Sequence, residues 1–480
     1  MRTAGVLLGL LSIVLARNVY IGSLNSGIWI FQQNGDGSLS QVGNPVTSSS
    51  GFVALHPNGQ NLFATGAGDQ YVSYGMQGNN LVYYNSLPGH DGQECWTTHV
   101  SVHPDGKTLF GANYKDGSFV AYSLWDNGAL NRRTFLNVPG TGSHGDKTDQ
   151  HRQDGPHAHM IVTSPNPKFV VGMDLGADRI WVWKYNSQNN SLTPNRPRSF
   201  STPLGSGSRH IAFGRDGNYA YVVNEIACTL LVLKFDQTNG IFSQVQLISS
   251  LPQDQQGQTS ISAGEIRVHP SGNFVYVTNR NTWAGDMNNI GIFSINTTTG
   301  MVTPVAWEPS RSRSPRGMNV CPSGNYLYVA NEEADNNGNN LFAFNVDTST
   351  GRLSLFGSYS TKGSASDVEF TYEKLSPVPQ PTTSRTFSST SRHSTSTVTP
   401  STTTSVGDIS LGMDRWGGDM DNMPVWADGP QGCQQQCYST SGCVAWAYNT
   451  CDGGNCWLKN SNSSPYSSNC RATGTIFGRV

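Results

Sequence analysis

Residues 269–280 read HPSGNFVYVTNR, a tight Pro-Ser-Gly turn running into an alternating strand that ends on polar residues. The pattern occurs five more times, as HPNGQNLFATG (56–66), HPDGKTLFGANY (103–114), SPNPKFVVGMDL (164–175), GRDGNYAYVVNE (214–225) and CPSGNYLYVANE (321–332). Each copy is preceded by a short alternating strand. A further strand follows, as in RIWVWKY (179–185), TLLVLKF (229–235) and NLFAFNV (340–346). Turn residues of this kind join antiparallel strands. A β-unit repeating roughly every 50 residues cannot bury both faces alone, so the spacing predicts a propeller.

The ends of this region complete the count. NVYIGSLNSGIWIFQ (18–32) looks like the second half of a repeat without its opening strand, and SASDVEFTYEK (364–374) like an opening strand with nothing after it. Joined, they make a seventh blade that holds both termini and fastens the ring. Tandem sandwiches would leave these complementary half-repeats unexplained. The predicted fold is all-β, a seven-bladed propeller over residues 17–375.

The flanks differ in composition. MRTAGVLLGLLSIVLA (1–16) has one Arg before a short apolar run, the pattern of a secretory signal peptide and too short for a membrane anchor. The mature chain is therefore expected to be secreted, with no membrane partner. Residues 376–406 are nearly all Ser, Thr and Pro, which reads as an extended, O-glycosylated linker. Residues 407–480 hold six of the nine cysteines, the density of a small disulfide-stapled module. Cys95, Cys228 and Cys321 are scattered and odd in number, so at least one buried free thiol is expected. With 13% charged residues and a formal net charge of −2, the chain has no basic field for nucleic acid. A monomer is expected.

In a propeller the first strand of each blade lines the central channel. The second runs antiparallel to it, so starts of first strands and ends of second strands share one face of the disc. The first group contains Thr98 and His99, His157 and His159, Arg209 and His210, Glu265 and Arg316. The second contains Tyr114, Asp174, Glu225, Arg280 and Glu332. A single rim charge is ordinarily a solvated one, but this concentration at one mouth is a poor device for stability and marks a site. The closing blade and its neighbour offer mostly small residues (Gly51, Ser23, Asp367), leaving room for a ligand. His157 and His159, in GPHAHM (155–160), stand two apart and on a regular strand would share a face. No HExxH or CxxC accompanies them in this region, and a zinc site needs further ligands. They read as proton-handling or substrate-binding imidazoles, with His159 ahead, and neither metal nor cofactor is expected. His210, directly after Arg209, reads as facing the opposite side of its strand. His144 and His151, in the Gly-rich insertion 138–154, read as part of a surface loop.

PHAHM with DLGADRI (174–180), SRHIAFGRDGNYAYVVNE (208–225), AGEIRVHPSGNFVYVTNR (263–280) and SPRGMNVCPSGNYLYVANE (314–332) closely resemble the seven-bladed lactonase propellers. That family groups propeller-type 6-phosphogluconolactonases with fungal carboxy-cis,cis-muconate cyclases. The resemblance implies an active site at His157 or His159, Arg209, Glu225, Glu265, Arg280 and Arg316. The linker and tail depart from the family's intracellular members, and AGEI (263–266) has a small residue where many relatives carry a bulkier one. The segment 408–460 resembles a PAN/apple module, a small α+β domain that binds carbohydrate or protein. This resemblance implies Cys433–Cys456 and Cys437–Cys443 bridges, which leaves Cys451 and Cys470. Trp416, Trp426, Trp446 and Trp457 offer faces for stacking on sugars.

Three functions fit. The first is a secreted hydrolase of sugar aldono-1,5-lactones, of the glucono- or cellobionolactone type. Its general base would be Glu225, Glu265 or a neutral histidine of the pair, and Arg209, Arg280 and Arg316 would hold the oxyanion and developing carboxylate. The second is a muconate-type cyclase, whose anionic substrate suits three arginines but whose intracellular setting does not suit a leader. The third is a glycan- or protein-binding platform without catalysis.

Overall fold

The turn glycines of the repeat explain both its hairpins and how the blades are joined. Gly59, Gly106, Gly217, Gly272 and Gly324 all take positive φ, between 71° and 81°. That region is open to glycine and strained for other residues. The turn histidine of one blade reaches the turn of the next. His56 Nε2 lies 2.8 Å from Gly106 O, His103 Nε2 2.9 Å from Pro167 O, and His269 Nε2 2.8 Å from Gly324 O. A Cβ on Gly106 would meet the His56 ring at 2.7 Å, so the glycine is required by contact as well as by φ. These three histidines are inter-blade latches.

The computed structural model describes residues 17–46, 50–136, 138, 152–281 and 288–371. In the tail it describes 410–415, 425–426, 433, 437, 445–449, 455–459 and 465–475. The leader, the linker, His144 and His151 lie outside these residues, as do the proposed cysteine pairings and the tail tryptophan side chains. The chain divides into two units, Met1–Val378 and Pro379–Val480.

The first unit is a seven-bladed propeller of four-stranded antiparallel sheets. Blade 1 is the closing blade. Its inner strand Ala365–Phe370 pairs with Arg17–Ser23 in the register Gly22↔Asp367 to Val19↔Phe370, and Gly27–Gln33 and Leu39–Gln41 complete it. Blades 2 to 7 follow in chain order, with inner strands Val53–Leu55, Thr97–Val102, Ala158–Thr163, Ser208–Phe213, Ile261–Val268 and Pro315–Val320. Strand alternation gives each sheet two apolar faces, and cores form between neighbouring blades. Phe274, Tyr276 and Ile292 of blade 6 pack on Met318, Leu327 and Val329 of blade 7. Val19, Ile21 and Trp29 of blade 1 pack on Tyr328, Ala330 and Leu341. Charged groups are thereby left to the channel and the rims. Cys95, Cys228 and Cys321 are all buried free thiols.

The second unit contains a five-stranded antiparallel sheet in the order Ser410–Arg415, Pro465–Thr475, Ala445–Asn449, Asn455–Lys459, Val425–Trp426. Cys433 and Cys437 are helical and fully buried, and Cys433 Sγ lies 3.5 Å from Ala447 O.

Candidate active site

Five consecutive inner strands break register near their starts. The slips fall between Thr97 and His99, Ala158 and Met160, Ser208 and His210, Ala263 and Ile266, and Pro315 and Gly317. The inserted positions include Thr98, His159, Arg209, Glu265 and Arg316. A β-bulge disturbs alternation and re-aims side chains. The chemistry of this channel is therefore carried on a ring of bulges.

The bulge in blade 5 corrects the expectation for His210. Regular alternation would send it away from Arg209, yet both are fully buried in the channel. His210 Nε2 lies 3.2 Å from His159 Nδ1 and its Nδ1 lies 3.0 Å from Glu265 Oε1. Its ring also contacts Phe52 and His99, with centroids 5.5 and 5.6 Å away. Contacts to blades 2, 3, 4 and 6 place His210 at the channel centre.

Glu225 is the electrostatic hub of the mouth. Its Oε1 accepts from Arg152 Nη2 at 2.7 Å and Arg280 Nη2 at 2.6 Å. Its Oε2 lies 3.0 Å from Arg209 Nε and 3.8 Å from His159 Nε2. The Arg209 N–H does not point at that oxygen, so the contact is an ion pair without a hydrogen bond. Burial works to raise the Glu225 pKa, but Arg152, Arg280 and Arg209 overcome it and hold it well below the usual carboxylate range. Such a group is a weak base. Arg152 was not foreseen: it closes the Gly-rich insertion, and its Nε also reaches the Tyr114 hydroxyl at 3.2 Å. An arginine in a variable-looking loop gives no sequence signal; only its reach to Glu225 reveals it.

The two histidines of GPHAHM part company. His157 Nδ1 lies 2.8 Å from Tyr114 O and its Nε2 2.9 Å from Asp154 Oδ1, and its ring stacks on Tyr114 at 4.5 Å. Both of its nitrogens are engaged at the rim. His159 points inward, and burial followed by Arg209 and His210 holds its pKa well below the ordinary value. His210 is held down in the same direction, by burial first and Arg209 second. Both are neutral imidazoles. Among the described residues, no three His, Cys, Asp or Glu side chains gather as metal ligands.

Arg316 donates to Glu332 Oε1 at 2.9 Å, and the Ser314 hydroxyl donates to the same carboxylate. Arg209 Nη2, Arg280 Nε and Arg316 Nε are buried donors without an acceptor. Three other expected mouth positions lie elsewhere. Asp174 pairs with Ala158, in the place that Asn224 and Asn279 take in blades 5 and 6. It accepts from the His157 and Ala177 amides and from Trp181 Nε1, a structural role. The repeat itself aligns Asp174 with Asn224 and Leu175 with Glu225, so blade 4 carries Leu175 where blade 5 carries the hub carboxylate. His99 and Asp367 instead line a cavity that also takes in Leu55, Pro57 and Pro104.

The comparisons agree with this fold. The family described as "Lactonase, 7-bladed beta-propeller" matches residues 18–370. The chain belongs to this family. Lactone hydrolysis, the cleavage of a carboxylic ester, is the reaction class that comes with it. The 6-phosphogluconolactonase of Bacillus subtilis is 29% identical over 324 residues, covering 66% of this chain and 85% of that protein. That of Formosa agariphila is 28% identical, covering 74% and 99%. Among solved structures, the periplasmic gluconolactonase of Pseudomonas aeruginosa is 26% identical with a TM-score of 0.65, covering 75% of this chain and 99% of that one. A PAN domain matches residues 413–459.

Proposed function

We propose that the protein is a secreted hydrolase of sugar aldono-1,5-lactones, with His159 as general base. The observation that carries this reading is the chain Glu265–His210–His159 ending among arginines. With the Glu265 side chain as acceptor, His210 Nδ1–H donates to it. His210 Nε2 then accepts from His159 Nδ1–H, and His159 Nε2 keeps its lone pair. This tautomer suits a base, and the chain holds the ring in place while the imidazolium forms.

His159 Nε2 removes a proton from water as the water oxygen attacks the lactone carbonyl. The carbonyl π pair becomes an oxyanion, which Arg209 Nη2 and Arg280 Nε are placed to stabilise. When the oxyanion collapses, the ring C–O bond breaks and the leaving oxygen takes the proton from His159. The acid product loses its proton to solvent, leaving an aldonate whose carboxylate meets Arg316. Glu225 holds three guanidinium groups in place rather than serving as base.

A glycosyl substrate is supported by the rim. Trp96 is 49% exposed and stacks on Tyr114, which stacks on His157. Lys115 Nζ lies over the Trp96 ring at 5.2 Å, and a half-exposed aromatic ring beside the mouth suits the C–H face of a sugar that displaces the lysine. The leader, the Ser/Thr/Pro linker and the PAN module support work on extracellular sugar lactones, with the module touching polysaccharide or protein. The cyclase alternative is weakened because Arg152, Arg209 and Arg280 already face Glu225, leaving less positive charge for a polycarboxylate. Acid release from glucono- and cellobionolactone, measured against the spontaneous rate, tests the reading. Unchanged rates for both would overturn it, and turnover of carboxymuconate instead would select the cyclase.

A further inference from the structure

The inner strands continue below the histidine layer and enclose a second cavity of about 570 Å³. Pro57 and Pro104 border it, and both lie in turns that end inner strands. It therefore opens on the face of the disc opposite the mouth. Phe52, His99 and His210, in mutual ring contact at 5.3 to 5.6 Å, separate the two ends of the channel. Its walls are apolar, formed by residues such as Val53, Val100, Met160 and Val162.

The cavity holds two carboxylates, Asp367 and Glu369, beside His99, Ser101, Asn319 and Arg267. Asp367 and Glu369 stand two apart on the inner strand of blade 1 and share its channel face. Asp367 is 2% exposed; its Oδ2 accepts from the Val53 amide at 3.0 Å and its Oδ1 has no partner. His99, 6% exposed, also lines the cavity with an unpartnered Nδ1. The nearby cation, Arg267, is engaged by Glu265 at 2.5 Å. Asn319 gives its amide to Val368 O at 2.9 Å and to Glu369 Oε2 at 3.4 Å. A buried acceptor left unsatisfied costs about 1–3 kcal/mol. A donor bearing positive charge would remove that cost at Asp367, whereas an anion would face Asp367 and Glu369 together.

We propose that this cavity binds a small organic ammonium ion, its charge on Asp367 and Glu369 and its carbon body against the apolar wall. The site is distinct from the lactonase mouth and does not depend on the substrate assigned there. The groups facing Asp367 are Arg267 and Glu265 of blade 6, His99 of blade 3 and Glu369 of its own strand, with His210 behind His99. Burial pushes the Asp367 carboxyl up to about 7, while it pulls His99 down to about 3. His99 is thus neutral throughout the neutral range, and Asp367 titrates within it.

The test is calorimetric titration of the full chain with n-butylammonium and with tetramethylammonium, using glucitol and sodium gluconate as controls. Saturable binding of an ammonium ion is expected at about pH 8, weakening about tenfold at about pH 6 as Asp367 takes up a proton. Asp367→Asn keeps an oxygen for the Val53 amide and should fold; it is expected to abolish binding. Val162→Trp, which fills the cavity from its wall, should do the same. Absence of saturable ammonium binding, equal binding by a folded Asp367→Asn protein, or preference for glucitol or gluconate would each overturn the proposal.

Discussion

His159 Nδ1 and His210 Nε2 lie 3.2 Å apart, on the inner strands of adjacent blades, and His210 is in turn held by Glu265. This contact fixes which nitrogen of His159 faces the mouth. It exists because a bulge in each strand turns a side chain into the channel that a regular strand would have sent elsewhere.

The first prediction concerns this chain of three. His159→Ala should lower kcat/KM by about 10² to 10⁴, the usual contribution of a positioned general base. Glu265→Gln should lower kcat by about tenfold with KM nearly unchanged, because the imidazolium loses its counter-charge, and it should also lower stability through the lost Arg267 ion pair. Steady-state kinetics on folded variants decides this. Full activity in His159→Ala would remove it as the base.

The pH profile follows from the same burial. A base must be unprotonated to act, and His159 is held well below its ordinary value. Its neutral form therefore persists as pH falls through 6.5. The acid limb of kcat/KM, after subtraction of spontaneous hydrolysis, should lie clearly below that point. A limb at or above 6.5 would point to a solvated histidine instead.

Glu225 should prove structural in its energetics. Glu225→Gln leaves Arg209, Arg280 and Arg152 facing one another without their counter-charge, and removing one partner of a buried ion pair costs about 3–5 kcal/mol. Because the Glu225 pKa is lowered on folding, its stabilisation is present above the unfolded carboxylate range near 4.3 and is lost as pH falls. Thermal unfolding at neutral and acid pH should show the variant's deficit shrinking as the wild-type carboxylate becomes protonated. A deficit that does not change with pH would contradict this.

Trp96 offers a test of substrate length. If its exposed face carries a second sugar ring, Trp96→Ala should raise KM for cellobionolactone by about tenfold, one stacking contact, and leave gluconolactone nearly unchanged. Equal effects on both substrates would assign Trp96 to the stability of the Trp96–Tyr114–His157 stack.

The sequence by itself determined the architecture of the propeller. Turn chemistry at His269-Pro270-Ser271-Gly272 and its repeats, strand alternation and the complementary half-repeats at 18–32 and 364–374 are all local signals. Blade count and closure follow from them without knowledge of any distant contact. The positions of Arg209, Glu225, Arg280 and Arg316 at one face were legible for the same reason, since antiparallel pairing places strand ends predictably. What only the tertiary structure decided lies at the bulges and between blades. A bulge shifts facing by one residue and leaves no mark in a single sequence, so His210 read as outward; Asp174 is a simple one-residue offset, since the repeat aligns it with Asn224. Arg152 gained its role from a loop's path, and Asp367 from its depth in the channel. Side-chain facing in a strand has a period of two, so a one-residue register error reverses a side chain's direction while leaving the fold intact.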